Sequence, residues 1–190
     1  MATAPLNSWQ LAQAANSLLN GEVIAYPTEA IWGLGCDPEN ETATLRLLQI
    51  KKRPVAKGLI LVAGSIDQIE DLLDPLAPSQ RRRMLATWPG PNTWLVPDYN
   101  LLIPDWIKGE HDSVAVRVSS HPVVVALCLR FGAPLVSTSA NRTGQRPPTT
   151  ALQVVKHLGR EIDGVLHGKL GDEAKPSRII DLLSGQVLRG

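Results

Sequence analysis

The chain is 190 residues long, which is enough for one compact domain and little more. Hydrophobic residues make up 44% of it, a share typical of globular proteins that excludes a disordered or fibrous chain. The formal net charge is +1, so no overall field directs the protein toward nucleic acids or membranes. Any binding of anions must therefore depend on local clusters of charge.

Helices and strands alternate along the sequence. A helix at 9–19 with Ser8 as its N-cap precedes a short buried strand at 23–26, which Pro27 ends. A helix from 40 or 41 to 50 ends before Pro54, and Ser65 with Gln68 forms a capping-box pattern for a helix up to 73. The other predicted elements are, in chain order, a strand at 59–62, a helix at 79–87, strands at 93–96 and 114–118, a helix at 122–131, a strand at 135–137, a helix at 150–158, and strands at 165–167, 179–182 and 187–189. This order predicts a single α/β domain over residues 1–190 with a mixed sheet, and it leaves the strand order open.

Two cysteines, Cys36 and Cys128, lie far apart, without a CxxC pattern or histidines at metal-ligand spacing. They indicate two small buried side chains rather than a zinc site or a disulfide framework. Residues 1–13 lack the basic start and apolar run of a signal peptide, and no stretch has the ~18 consecutive apolar residues of a membrane span. We expect a cytoplasmic protein without membrane contact.

The first candidate for a binding segment is the loop at 27–37, which follows a buried strand and carries a hydroxyl group, a carboxylate and two glycines. Glycine lets the backbone approach a ligand closely, and open α/β sheets bind ligands at the ends of their strands. A tight turn without a ligand explains the same residues equally well. Gly33 and Gly35 do not form a dinucleotide fingerprint, because no third glycine follows at the right spacing.

Two basic runs differ in what they predict. Residues 51–53, together with Lys57, place cations at a helix end, where they form a phosphate site if they face a cleft. A solvated helix end favoured by the helix dipole is the alternative. The three arginines at 81–83 are expected to form a solvated face, since no other candidate residue converges on them.

Arg117 lies in an apolar strand, where a buried charge is costly unless it meets an anion. That anion is either a protein carboxylate or the carboxylate of a small substrate. After another buried strand, the hydroxyl and amide groups at 137–141 either orient a polar ligand or satisfy the backbone of a turn. The four histidines lack ligand spacing, and the sequence contains no GxxxxGK[ST], GxSxG or HExxH motif, so phosphate binding of the P-loop type is excluded.

In their order along the chain, these segments resemble the YrdC/TsaC family of threonylcarbamoyl-AMP synthases in its short bacterial form. The matching segments are 26–36 (YPTEAIWGLGC), 51–61 (KKRPVAKGLIL), 88–93 (WPGPNT), 113–118 (SVAVRV), His121 with Pro122, 134–141 (PLVSTSAN), 176–181 (PSRIID) and 187–190 (VLRG). So many ordered matches over nearly the whole chain are far more specific than any one motif.

The resemblance implies a YrdC-like fold, in which helices flank a twisted sheet of parallel and antiparallel strands around a concave, positively charged cavity. It implies conversion of L-threonine, bicarbonate or CO2, and ATP into threonylcarbamoyl-AMP and diphosphate. This is the first step in forming threonylcarbamoyladenosine beside the anticodon of tRNAs that read codons beginning with A. The implied partners are the tRNA-modification proteins that transfer the threonylcarbamoyl group.

By position in the family's motifs, the resemblance also implies two sets of site residues. The nucleotide side comprises Lys51, Arg53, Lys57, Ser139, Asn141 and Arg189, and of these Lys51 and Arg53 are the expected catalytic residues. The threonine side comprises Thr28, Arg117, Ser137 and Ser177. No metal ligand from the protein is expected, since Mg²⁺ would be held through the triphosphate. Such a reaction needs positioning and charge neutralisation rather than a protein nucleophile.

The sequence departs from the family's usual pattern at Ala30, Trp32 and Val62 and over residues 174–178, so the threonine contacts are harder to assign than the phosphate contacts. Two other functions stay open. One is an RNA-binding module in tRNA or rRNA maturation without its own catalysis, against which the scarce aromatics and the absence of an RNA motif argue. The other is adenylate chemistry on carbamoyl phosphate, as in hydrogenase-maturation proteins, which are much larger chains. A weak contact with tRNA is compatible with catalysis.

Overall fold

The computed structural model describes residues 7–189, in which helices flank one sheet of nine strands. The helices are α1 (Ser8–Leu19), α2 (Glu41–Lys51), α3 (Glu70–Leu73), α4 (Pro78–Leu85), α5 (Asp105–Lys108), α6 (Pro122–Phe131) and α7 (Ala151–Leu158), with 3₁₀ turns at Val55–Lys57 and Ile66–Ile69. The strands are β1 (Ile24–Pro27), β2 (Trp32–Gly35), β3 (Ile60–Ala63), β4 (Asn92–Pro97), β5 (Ser113–Val118), β6 (Leu135–Ser139), β7 (Gly164–Val165), β8 (Arg178–Asp181) and β9 (Val187–Arg189). Residues 1–6 of the N-terminal segment and Gly190 of the last matching motif lie outside the described residues.

The sheet has the strand order β7-β1-β2-β6-β3-β5-β4-β8-β9. The pairs β7–β1, β3–β5 and β4–β8 are parallel, and the remaining neighbours are antiparallel. This confirms the predicted α/β class with a mixed sheet flanked by helices. No helix within residues 7–189 is both long and apolar enough to cross a lipid bilayer.

The two faces of the sheet are covered to different extents. On β3 and β6, side chains alternate between the faces, as they do in any strand. Val62 and Leu135 pack in a buried cluster with α1 and α6, whereas Leu61 and Val136 belong to the larger core that contains residues of α2, α4 and α7. Helices α1 and α6 cover only part of their face of the sheet. Ile60 and Ser137 lie on the same face, two residues from Val62 and Leu135 in their strands, and they line an open cavity.

Most predicted elements are observed within one or two residues of the predicted bounds, and three differences have clear causes. Residues 32–35 form strand β2 rather than part of a loop, because they pair with β1 and β6. The capping box is wrong, since the Gln68 side chain instead accepts from the Gly64 amide and donates to the Cys128 carbonyl. At the first helix, the side chain of Asn7 rather than Ser8 accepts the cap hydrogen bonds. Cys36 and Cys128 are free and buried, as predicted.

Candidate active site

A cavity of about 590 Å³ opens on the partly covered face of the sheet. All ten predicted site residues line it: Thr28, Lys51, Arg53, Lys57, Arg117, Ser137, Ser139, Asn141, Ser177 and Arg189. They come from the end of α2, from β5, β6 and β9, and from the segments that follow β1, α2 and β6 or precede β8, so residues distant in sequence meet in one cavity. The arginines at 81–83 do not line it; Arg81 pairs with Glu70 and Asp74, as expected of a solvated face.

The cavity is strongly positive although the chain is nearly neutral. Among the described residues that line it, seven are lysines or arginines and a single one, Glu29, is a carboxylate. The cations are Lys51, Arg53, Lys57, Lys108, Arg117, Lys175 and Arg189. Positive and negative charges nearly cancel over the whole chain, but at this site the positive charges are in clear excess.

Lys51 ends helix α2 and is buried, with 4% of its surface exposed. Its Nζ donates to the main-chain carbonyls of Ser139 and of Asn141, the latter at 2.8 Å. Burial, with a smaller effect from the neighbouring Arg53 cation, lowers the pKa of Lys51 to about 8. Since an ammonium group has three donors, one remains for a ligand in the cavity.

Arg53 reaches the cavity because the helix ends in a left-handed turn at Lys52, whose φ is 52°. Its Nε and Nη2 donate to the Gly58 carbonyl at 3.1 and 2.8 Å, and Nη2 also donates to the Lys57 carbonyl. Burial lowers the pKa of Arg53. The segment 53–58 therefore folds back on itself, and the side chain of Lys57 stays exposed beside it.

Arg189 and Ser177 line the cavity together and are hydrogen-bonded to each other. The Arg189 guanidinium donates to the Ser177 carbonyl, at 2.9 Å from Nη2, and to its hydroxyl group. The Ser177 Oγ lies 2.9 Å from the hydroxyl oxygen of Thr93 on β4. Partial desolvation of the guanidinium lowers the pKa of Arg189 although the residue is largely exposed, and the Arg117 and Arg53 cations lower this pKa further.

Arg117 is held by a buried network. Its Nη1 donates to Glu29 Oε2 at 2.6 Å, and the Ser119 hydroxyl donates to Glu29 Oε1 at 2.6 Å. Burial by itself raises the pKa of Glu29, but the Arg117 charge and the Ser119 hydrogen bond outweigh it, so the pKa lies below its ordinary value. The protein carboxylate that the sequence left open as a partner of Arg117 is thus present, and it engages one of the five guanidinium donors.

The remaining hydroxyl and amide residues line the cavity between these two ends. Ser139 pairs with Gly33 of β2, and Ser137 pairs with Ile60 of β3. The Thr28 hydroxyl donates to the Ile31 carbonyl at 2.7 Å, which stabilises the turn between β1 and β2. Asn141 donates through Nδ2 to the Gln145 carbonyl, while its Oδ1 is buried without a partner among the described residues.

Three of the seven cations that line the cavity are held by carbonyls rather than by carboxylates. Lys51, Arg53 and Arg189 donate to main-chain carbonyls, and Arg189 also to a hydroxyl group, but none of them forms an ion pair within residues 7–189. Away from the cavity, Arg46 and Arg142 pair with Asp163 and Glu161. Carbonyls fix the direction of a cation without cancelling its charge, so these three residues remain free to attract an anion.

Sequence reasoning missed several residues of the site. Ser119 lies two residues beyond Arg117, and the twofold period of a strand could have placed it on the same face. Lys108 and Lys175 line the cavity without any sequence signal beyond their charge. His121 has a packing role, as expected of the histidines, because it is buried and its Nε2 lies 3.1 Å from the Lys169 carbonyl oxygen.

Comparison with known proteins agrees with this geometry. The sequence matches a family model of the Sua5, YciO and YrdC proteins, described as "Telomere recombination", over residues 16–190. A protein of Marinobacter nauticus named threonylcarbamoyl-AMP synthase is 53% identical over 180 residues, which make up 95% of this chain and 95% of that protein.

Two solved structures have the same fold. The crystal structure of P. abyssi Sua5 complexed with L-threonine has a TM-score of 0.87 and 30% sequence identity. That match covers 94% of this chain and 52% of the other, so the chain spans about half the length of P. abyssi Sua5. The structure of E. coli YciO has a TM-score of 0.85 and 26% identity, covering 98% of this chain and 91% of that one.

Proposed function

The chain belongs to the Sua5/YciO/YrdC family, and from the relatives described above we infer that it is a nucleotidyltransferase that makes threonylcarbamoyl-AMP and diphosphate from L-threonine, bicarbonate or CO2, and ATP. The observation that carries this conclusion is the set of cations that line one cavity and are held by carbonyls rather than by carboxylates. A polyanion such as a triphosphate is the ligand that such a set favours. The names of the relatives support an enzyme and not an RNA-binding module.

We assign the triphosphate to the side of the cavity formed by Lys51, Arg53 and Lys57. The third donor of Lys51 and the exposed ammonium of Lys57 are free to contact phosphate oxygens. Ser139 and Asn141 contribute polar groups near Lys51, and Arg189 lines the same cavity. Lys51 and Arg53 act catalytically, by stabilising the charge that develops on the phosphates as diphosphate leaves.

We assign threonine to the side formed by Thr28, Arg117, Ser137 and Ser177. The donors of Arg117 that Glu29 does not engage bind the carboxylate, and Glu29 provides a negative charge for the ammonium group. That P. abyssi Sua5 was solved with L-threonine supports threonine as the ligand.

The reaction then needs no protein nucleophile. The threonine amine attacks CO2, loses a proton and becomes a carbamate, and a carbamate oxygen attacks the α-phosphorus of ATP while the bond to diphosphate breaks. Holding the amine, CO2 and ATP in line is worth up to ~7–11 kcal/mol of the barrier in favourable cases. The two sets of residues line one cavity and meet where Arg189 donates to Ser177, and together they provide this alignment.

We propose that Mg²⁺ enters with ATP and is held through the phosphate oxygens. The donors around the nucleotide side are cations, hydroxyl groups and amides, and the only described carboxylate that lines the cavity, Glu29, is engaged by Arg117 and Ser119. These residues fit a metal ion whose ligands are mainly phosphate and water rather than carboxylates of the protein.

The same proposal includes a cytoplasmic location and partners. The two free, buried cysteines fit a reducing compartment. The product is a mixed anhydride, so a partner protein must take over the threonylcarbamoyl group and transfer it to the adenosine beside the anticodon of tRNA. Weak contact of the basic cavity rim with tRNA is compatible with this transfer.

The test is release of diphosphate from ATP in the presence of Mg²⁺, with threonine or bicarbonate omitted in turn. We expect release to require both. Arg53→Ala should reduce activity and weaken ATP binding, whereas Arg82→Ala, on an exposed face of α4 away from the cavity, serves as the matched control. RNA binding that falls steeply with salt, without ATP turnover, would instead favour an RNA-binding module.

A further inference from the structure

Helix α5, a single turn, lies directly behind the segment that carries Arg53 and Lys57. The Leu59 amide donates to the Ile107 carbonyl at 2.8 Å, and the Glu110 amide donates to the Ala56 carbonyl at 3.3 Å. These two hydrogen bonds connect Ala56 and Leu59 to the C-terminal end of α5 and the residues that follow it. The position of this segment matters because the Gly58 carbonyl accepts from Arg53 and thereby orients it.

Two glycines allow the segment and α5 to approach closely. Gly58 has a φ of +58°, and a Cβ atom built there would lie 2.6 Å from the Lys108 carbonyl oxygen. Gly109 has a φ of +68°, and its Cβ atom would lie 2.5 Å from the Ala56 carbonyl oxygen. Each glycine thus faces a carbonyl of the other segment with no room for a side chain, so a movement of α5 must displace the segment 53–58.

A four-residue helix is not stable alone, and a buried ion pair holds this one. Lys108 Nζ lies 2.9 Å from Asp98 Oδ2, with the two side chains 8% and 0% exposed. Asp98 also accepts from the Leu102 and Ile103 amides at 2.9 and 3.0 Å. Lys108 lines the cavity, but its charge is committed to Asp98.

We propose that the Asp98–Lys108 ion pair positions Arg53 for binding the phosphates of ATP. The pair holds α5 in place, and the close contacts at Gly58 and Gly109 fix the segment 53–58, and with it Arg53, relative to α5. This inference rests on the proposed placement of the triphosphate at Arg53 and Lys57. Asp98 and Lys108 are positioning residues, because they act through the backbone of the segment 53–58 rather than on the substrate. Their effect should fall on ATP and spare threonine, because the segment 53–58 contains none of the proposed threonine-binding residues.

The experiment measures ATP binding by calorimetry in the presence of Mg²⁺, together with the KM values for ATP and threonine, in Lys108→Met and Asp98→Asn. We expect the dissociation constant of ATP to rise about ten-fold, which corresponds to a loss of ~1.4 kcal/mol of binding free energy, because Arg53 is displaced rather than removed. The KM for threonine should stay within about two-fold, as effects at separated sites are largely independent. Leu127→Ala, a core truncation in α6, is the control for a simple loss of stability, and its ATP affinity should not change.

Folded variants with lower melting temperatures but unchanged ATP affinity would overturn the proposal. If Lys108→Met fails to fold, the nearly isosteric Asp98→Asn decides. Hydrogen exchange on the unaltered protein provides a further measurement, because ATP should slow exchange at the Leu59 and Glu110 amides, and no change there also counts against it. ATP binding is measured independently of turnover. If the variants weaken ATP binding as expected but the unaltered protein releases no diphosphate, the proposed function is refuted and this inference is not.

Discussion

The lowered pKa of Lys51 predicts that ATP binding depends on pH well above neutrality. With a pKa of about 8 in the free protein, Lys51 is ~75% protonated at pH 7.5 and ~10% at pH 9. Because ATP binds the charged form better, the triphosphate should raise this pKa, and a proton must be taken up whenever ATP binds to the neutral form. The affinity for ATP is therefore highest below pH 8 and falls as the pH rises through that value.

The magnitude follows from the same pKa. If the bound lysine stays protonated at both pH values, the dissociation constant of ATP rises about eight-fold between pH 7.5 and pH 9. Proton uptake on binding rises from ~0.2 to ~0.9 per molecule over the same interval. ATP with Mg²⁺ is fully ionised throughout, so the change belongs to the protein.

Calorimetry in two buffers of different ionisation enthalpy measures both quantities. Lys51→Met should bind ATP more weakly at pH 7.5 and lose the pH dependence. Lys57→Met is the matched control, since Lys57 is an exposed cation of the same cavity, and this variant should bind more weakly but keep the pH dependence. An affinity that stays constant from pH 7.5 to 9 in the unaltered protein, without proton uptake, would refute a role for Lys51 at the phosphates.

Three further predictions concern the threonine side and the sheet beneath it. Arg117→Lys keeps a positive charge near Glu29 but loses the planar guanidinium, so the KM for threonine should rise about ten-fold or more while the KM for ATP stays constant in steady-state assays. Ser119→Ala removes the hydroxyl group that donates to Glu29, and urea unfolding should show a loss of about 1–3 kcal/mol, whereas an unchanged midpoint would mean that water replaces the hydroxyl. Gly35→Ala would bring a Cβ atom to 2.6 Å from the Val136 carbonyl oxygen, and a thermal melt should show a destabilisation of roughly 1–3 kcal/mol; a stable variant would contradict the close packing of β2 on β6.

Elements with a strong local pattern are predictable from the sequence at their observed bounds. Helix α6 is an example, because its first residue is Pro122 and it ends at Gly132, which adopts the left-handed conformation with a φ of 93°. Strand β2 escapes prediction for a packing reason. A Cβ atom at Gly33 would lie 3.2 Å from Thr28 Cγ2, and one at Gly35 would lie 2.7 Å from Tyr26 Cε1. The two glycines are therefore needed for close packing within the sheet, whereas in the sequence they indicate a turn. Helix α5 is too short to show a period.

The sequence predicts residues that the fold brings together in one cavity, but it does not predict how they are held. The ten candidates come from motifs whose order along the chain resembles a known family, and they all line one cavity. The partner of Arg117 is Glu29, which is 88 residues away in the sequence, and no local pattern joins the two. Likewise, the two carbonyls that hold Lys51 belong to residues 88 and 90 positions further along the chain. Such contacts depend on strand order, which the sequence leaves open.

Some cations of this cavity are held by carbonyls and Arg117 is held by a carboxylate, and this difference suits a polyanionic and a zwitterionic substrate respectively. Desolvation of Lys51, Arg53 and Arg189 lowers their pKa values, which means that the protein without ligand bears an electrostatic cost that no carboxylate offsets. A carboxylate at that place would remove the cost but would also compete with the triphosphate for the same donors. Arg117 is different, because it is already paired with Glu29, and a zwitterionic amino acid needs both signs of charge. Under the proposed placement, a chain with a net charge of +1 can therefore hold a polyanion and a neutral zwitterion in one cavity, since Lys51, Arg53 and Arg189 have no carboxylate partner while Arg117 has one.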